Sequence, residues 1–377
     1  MRYLLFFLPL FIISCSSNKN VLGDKLDTLF DSSFKSNEPG GAVLISKDGN
    51  IIYEKGFGLA DIHSKELINT HTLFNIGSIS KTFVAYGILE LAKENKLSLD
   101  DDLYKYFPDF KDSTIAREIK IYHLLTHSSG LPDIRKIDED SVFYLTAKDE
   151  ENWNPIKQDT SLEFEPGEKF HYSNPAFNGL ALIIEKITGM KWQQYIKQLL
   201  FEPSGMKTSV ITDGPYPETG VSHGYLFDGN KYFEKDYGEE PTFAAAGNGG
   251  VWSSVDELWK YEQAIQKNKF LDSNWINKSR TVFPLENWKD SIPSELGLCW
   301  FITNFENQHL IGHTGSQGGF RADYVWVPDK QIFYVILCNT PKDLHEIRKS
   351  VFRILGDRKS TRLNSSHPRL SRMPSSA

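Results

Sequence analysis

The chain has 377 residues, a formal charge of −7, and 40% hydrophobic with 13% aromatic residues, enough for a sizeable core in one large domain or two lobes. Without the basic C-terminal segment 357–377 and without Arg2, the body from residue 15 to 356 carries −12. An acidic body argues against nucleic acid as a partner.

Met1-Arg2 precedes an apolar run from Tyr3 to Ile13 that is too short to span a bilayer. The run ends at Ile12-Ile13-Ser14-Cys15, the pattern of a bacterial lipoprotein signal over residues 1–14 with Cys15 as the lipidated residue. An ordinary signal peptide cut nearby is the alternative, and both readings export the protein to the cell envelope, facing the periplasm or the exterior. Residues 15–23 form a polar tether, which in the lipoprotein reading joins the chain to the membrane. Residues 41–46, the Asp48-Gly49 turn and residues 51–53 predict a β-hairpin. Val84, Ile88 and Leu91 then recur at helical spacing, predicting a helix that opens at Ser78.

A long middle, about residues 95–245, reads as helices and loops, with an amphipathic helix over 177–188 closed by Gly189. Strand patterns return at 297–303, 319–327 and 331–338, and a last helix covers about 342–355. Early and late strands need one another to complete a sheet. The expected fold is therefore α/β (α+β): a mainly antiparallel sheet flanked by helices, with a mostly helical lobe inserted and the site in the cleft between them, all within 24–356. Residues 357–367 read as the translation of a common sequencing adapter and 371–377 as the stretch after its index. The segment 357–377 is expected to be an assembly artefact rather than a native basic tail. Cys299 and Cys338 lie in strand-like runs, as a bridge or as two isolated buried thiols.

Three motifs carry chemistry: Ser78-Ile79-Ser80-Lys81, Tyr172-Ser173-Asn174 and His313-Thr314-Gly315. Ser-x-x-Lys also occurs at Ser16, Ser32 and Ser204, but only Ser78 follows a glycine and an apolar run and opens a helical pattern. A serine at a helix start lies where backbone N–H groups and the helix dipole favour negative charge. Lys81, three residues on, shares its face and reaches the hydroxyl; burial beside other donors would lower its pKa and let the neutral amine take the serine proton. Tyr172 could pass that proton to a leaving group and later draw one from water.

These motifs, together with His123-Leu-Leu-Thr-His127-Ser-Ser-Gly130, Pro166-Gly167-Glu168 and Phe201-Glu-Pro-Ser-Gly205-Met206, resemble the serine β-lactamase and penicillin-binding-protein superfamily. The likeness runs from about residue 24 to 356 and is greatest to the branch of class C β-lactamases, D-Ala-D-Ala carboxypeptidases, D-amino-acid amidases and esterases. The resemblance implies a β-lactamase/transpeptidase-like fold, with Ser78 as nucleophile, Lys81 and Tyr172 as the proton-transfer pair and Asn174 as a hydrogen-bond donor to substrate. It also implies His313-Thr314-Gly315 as an edge-strand triplet and an oxyanion hole from the Ser78 and Ser316 amides. Histidine at 313, where most β-lactamases of this branch have lysine, looks more like the carboxypeptidases, amidases and esterases. An unperturbed histidine titrates near about 6.5, so its pull on a substrate carboxylate should fade between about pH 5.5 and 8.

Other signals are weaker. His123 and His127 are four apart, but Leu124 stands where a metalloprotease motif has glutamate, so a structural role is expected and no metal. Gly247-Asn248-Gly249-Gly250 lacks a phosphate-loop lysine and reads as a tight loop near the cleft; Asp100-Asp101-Asp102 reads as a solvated turn. The expectation is an exported, lipid-anchored serine hydrolase without cofactor. Its substrate would be a small molecule or peptidoglycan-like peptide: a D-Ala-D-Ala peptide, D-amino-acid amide, short ester or β-lactam. The alternative is a catalytically silent cell-envelope binding protein on the same scaffold.

Overall fold

The apolar run at the start of the sheet, GAVLISK, forms strand β1 (Gly41–Lys47) with six of its seven residues buried. It turns through Asp48 and Gly49, at φ 51° and 77°. Positive φ at both positions is the two-residue hairpin geometry that an Asp-Gly pair adopts readily. Strand β2 (Asn50–Phe57) returns antiparallel to it. The computed structural model describes residues 21–133, 143, 146–234, 244–305 and 308–356. The expected signal, Cys15 and the 357–377 segment lie outside the described residues.

Four late strands complete the sheet: β3 (Phe301–Phe305), β4 (Gln308–Gln317), β5 (Phe320–Val327) and β6 (Ile332–Cys338). The order is β3-β4-β5-β6-β1-β2, with every neighbouring pair antiparallel. Early and late halves meet where Gly41 pairs with Cys338 and Lys47 with Ile332, as the sequence predicted. All seven residues of β6 are buried, as expected of an apolar strand covered on both faces.

Two differences from the predicted strands have physical causes. Residues 297–300 are not strand: Cys299 adopts φ 76°, and its N–H donates to Leu125 O at 2.8 Å, which takes the chain off the sheet. Strand β4, in contrast, has glycines at 312 and 315 and alternates polar residues with few β-branched ones, so the apolar pattern does not announce it.

Helix α1 (Ser80–Lys93) is buried at every position from Ser80 to Ala92, which makes it a core helix rather than an amphipathic one. Helix α2 spans Asp149–Gln158. Helix α3 (Asn174–Thr188) starts with Ser173 Oγ accepting from Ala176 N at 3.3 Å and has Pro175 in its first turn. It stops at Gly189, φ 69°. Helix α4 (Val255–Gln266) packs on β1 and β6. Its buried Glu262 is held by both terminal nitrogens of Arg280 at 2.8 Å and by the Tyr324 hydroxyl. Removing one partner of such a buried pair costs about 3–5 kcal/mol.

The terminal helices Val21–Ser33 and Leu344–Gly356, apart from Ser33 and Leu344, belong to one compact unit and residues 33–344 to another. The first helix begins at Val21, so residues 21–23, read as the end of the tether, are helical. Among the described residues no helix is long and apolar enough to cross a membrane. Cys299 and Cys338 are separate, buried, free thiols.

Candidate active site

The turn carrying Ser78 is fixed from both sides. A 3-10 turn (Gly77–Ile79) runs directly into α1. Gly77 N donates to Asn75 Oδ1 at 2.8 Å, Ile76 N to Val251 O at 3.0 Å, and Val251 N to Ser80 Oγ at 3.0 Å. Ser78 is partly open while its neighbours from Thr72 to Gly77 and from Ile79 onward are buried. A hydroxyl is thereby presented on an otherwise closed surface.

Lys81 reaches back one turn to that hydroxyl, with Nζ 3.0 Å from Ser78 Oγ. The same nitrogen donates to Asn174 Oδ1 at 2.8 Å and to Asn248 O at 2.7 Å. Nζ donates to Ser78 Oγ as it does to the other two oxygens, the pattern of an ammonium, and loss of the proton facing Ser78 would leave a lone pair directed at the serine O–H. The Tyr172 ring lies beside it, its centre 5.1 Å from Nζ, with Phe177 at 5.8 Å on another side.

Strand β4 supplies the opposite wall. Strand β3 pairs with it only as far as Gly312, opposite Phe301, so beyond that point 313–317 is an edge, as the family resemblance implied. Along this stretch Thr314 and Ser316 are exposed while His313, Gly315 and Gln317 are buried. The edge presses on the Ser78 turn: a Cβ on Gly315 would lie 2.0 Å from Ile76 O, and one on Gly77 would lie 2.6 Å from Ser316 N. Only glycines allow that approach, which brings the Ser316 amide over the turn.

His313 departs from its expected role. It is 3% exposed, its Nδ1–H donates to Thr314 O at 2.7 Å, and its Nε2 has no partner among the described residues. Burial, assisted by Lys81, pulls its pKa down to about 4 against the bond to Thr314 O, which raises it. With that shift the ring is neutral from pH 5.5 to 8, so no fading of its charge is expected in that window.

His127 was read as structural, and its geometry is specific. At φ 52° it turns so that its ring stacks on Tyr172, centres 4.2 Å apart, and its Nδ1 accepts from Ser173 N at 3.1 Å. Burial first, and then the charge of Lys81, keeps it neutral. His123 instead caps its own short helix, its Nδ1 accepting from Lys120 N at 3.0 Å. Asn248 is the contact that sequence reasoning missed. The glycines around it marked a tight loop, but nothing in the chain says that its carbonyl holds Lys81.

The Beta-lactamase family model matches residues 26–355. This chain belongs to the Beta-lactamase family. Within the wider superfamily of β-lactamase and penicillin-binding-protein-like serine hydrolases, it is 28% identical over 342 residues to Penicillin-binding protein 4* of Bacillus subtilis (strain 168), covering 84% of this chain and 72% of that protein. Protein flp of Staphylococcus aureus (strain MW2) is 28% identical over 84% of this chain, which spans only 62% of that relative's length. The solved D-amino acid amidase from Ochrobactrum anthropi SV3 superposes with a TM-score of 0.75 over 91% of this chain and all of that one. At 19% identity that likeness is one of fold.

Proposed function

We propose that this Beta-lactamase-family chain hydrolyses an amide or ester bond through an acyl-enzyme on Ser78. The observation that carries the reading is the Lys81 amine 3.0 Å from Ser78 Oγ, with its other bonds directed to two oxygens. In its amine form Lys81 takes the Ser78 proton as Oγ attacks the substrate carbonyl carbon. The oxyanion is received by the Ser78 and Ser316 amides, a contribution of about 3–4 kcal/mol for one such donor. Tyr172 relays the proton to the leaving nitrogen or oxygen as that bond breaks, then takes one from the water that attacks the acyl-enzyme. The carboxylic acid, which then ionises by releasing a proton to solvent, and the protonated leaving group are the products, and the enzyme groups return to their starting protonation.

Neutral His313 supplies no positive charge to a substrate carboxylate. This favours neutral amides and esters, including D-amino-acid amides, over substrates such as penicillins that bear a carboxylate. A silent binding protein would have no need for a nucleophile held beside its base. Intact-mass analysis after a fluorophosphonate and, separately, a penicillin tests the reading. One adduct of the fluorophosphonate on Ser78 is expected, slower labelling by penicillin, and none of either in Ser78→Ala; full labelling of Ser78→Ala would overturn it.

A further inference from the structure

The carbonyl that holds Lys81 belongs to a short buried turn, Ala246–Gly249, packed against α1 and α3, and polar side chains fix its orientation. Gly247 N donates to Asp149 Oδ1 at 2.8 Å, and Asn248 Nδ2 donates to Asn178 Oδ1 at 2.9 Å. Asn178 Nδ2 in turn donates to Asp149 Oδ1 at 2.6 Å, and Trp192 Nε1 to Asp149 Oδ2 at 2.8 Å. Asp149, Asn178, Trp192 and Asn248 are all buried. Helix α3 thus uses two asparagines one turn apart: Asn174 touches Lys81 directly and Asn178 reaches it through Asn248. A Cβ on Gly247 would lie 2.9 Å from Ala181 Cβ and 3.1 Å from Asp149 Oδ1, so the turn sits against the carboxyl as closely as a glycine permits.

We propose that Asp149, acting through Asn178 and the Gly247-Asn248 turn, is a positioning residue that holds the Lys81 amine on Ser78 when its carboxyl is ionised. This rests on the Ser78–Lys81 reading above. Three N–H groups converge on two carboxylate oxygens, an arrangement that an ionised carboxyl satisfies fully. Protonation removes the negative charge that strengthens all three bonds, including the two on Oδ1 that hold Asn178 and Gly247. Burial nevertheless raises the Asp149 pKa to about 7, against its three donors, with the Asp213 carboxylate adding to the upward push. Of the other charged groups nearby, Glu150 and Glu151 on its own helix and Lys186 on α3 are exposed, and Glu185 turns to the Trp192 amide. The relay is thus held most firmly above neutral pH and weakened below it.

The test is the acylation rate of the full chain with a neutral nitrophenyl ester, measured from pH 5.5 to 8.5 for the parent, Asp149→Asn and Asn178→Leu. Asp149→Asn mimics the protonated carboxyl at every pH, so the parent-to-variant ratio should be near one at pH 5.5 and about tenfold at pH 8.5, with its midpoint near 7. Asn178→Leu cuts the relay without touching the carboxyl and should be slow while losing the step near pH 7; it keeps the test open if Asp149→Asn does not fold. KM should change little for either. A parent-to-Asp149→Asn ratio that does not vary with pH, or an Asn178→Leu that acylates like the parent, overturns the inference. Failure of the Ser78 reading is seen separately, as acylation surviving in Ser78→Ala.

Discussion

His313 commits one ring nitrogen to its neighbour's carbonyl and buries the other, so dehydration decides its proton affinity. With a pKa of about 4, it carries no charge across the neutral range. For matched substrates that differ only in a carboxylate, the ratio of kcat/KM values should therefore stay flat from pH 5.5 to 8. A steady-state comparison of the two substrates checks this, and a fall centred near 6.5 would mean that the ring is hydrated and faces the substrate. Ser78, Lys81 and Asn174 were legible in the sequence because each stands in a short motif, although Asn174 meets Lys81 across 93 residues. Asn248 and Asp149 were not, because no motif marks them and their links to Lys81 and Gly247 join positions 167 and 98 residues apart. The charge state of His313 was illegible for a related reason: burial is a property of the packed site, not of a triplet.

At the scale of elements, the decisive contact is backbone against backbone, where β4 meets the Ser78 turn. Gly315→Ala would place a methyl 2.0 Å from Ile76 O, an atom of a turn already tied to Asn75 and Val251. The strand edge must lift, and the Ser316 amide moves away from the oxyanion. Acylation should slow by about 10²-fold, the scale of losing one oxyanion donor, with KM changed much less. Stopped-flow acylation with a chromogenic ester measures it; an unchanged rate would place Ser316 outside the oxyanion site. The hairpin, α3 with its Gly189 stop and the β5 and β6 strands were readable because apolar periodicity and turn chemistry agree there. Strand β4 was not read from periodicity because its function needs glycines at 312 and 315, which weaken the strand signal. Residues 301–303 of the 297–303 run are strand, but 297–300 misled for the opposite reason: Leu298, Cys299 and Trp300 are buried by a left-handed turn at Cys299 rather than by a straight strand.

Over the whole molecule, the same buried groups set how stability follows pH, and they oppose one another. His313 has a folded pKa of about 4 against an ordinary 6.5. As pH falls below 6.5 the unfolded chain gains a proton that the folded one refuses, so this contribution to stability is lost on acidification, by about 2 kcal/mol at pH 5. His123, also at about 4, and His127 act in the same direction. Asp149 has the opposite sign: its folded pKa of about 7 lies above the ordinary 3.8. The folded state then gains the proton first as pH falls, adding about 2–3 kcal/mol between pH 8 and 5. Urea unfolding at pH 8 and pH 5 separates the two. His313→Gln should lose less stability on acidification than the parent, by about 2 kcal/mol, and Asp149→Asn should lose more, by about 2–3 kcal/mol. Each variant is compared with itself across pH, so the cost of the substitution to packing cancels and only the titrating group remains. Shifts of the same sign in both variants would show that one of the two side chains is hydrated in the folded protein.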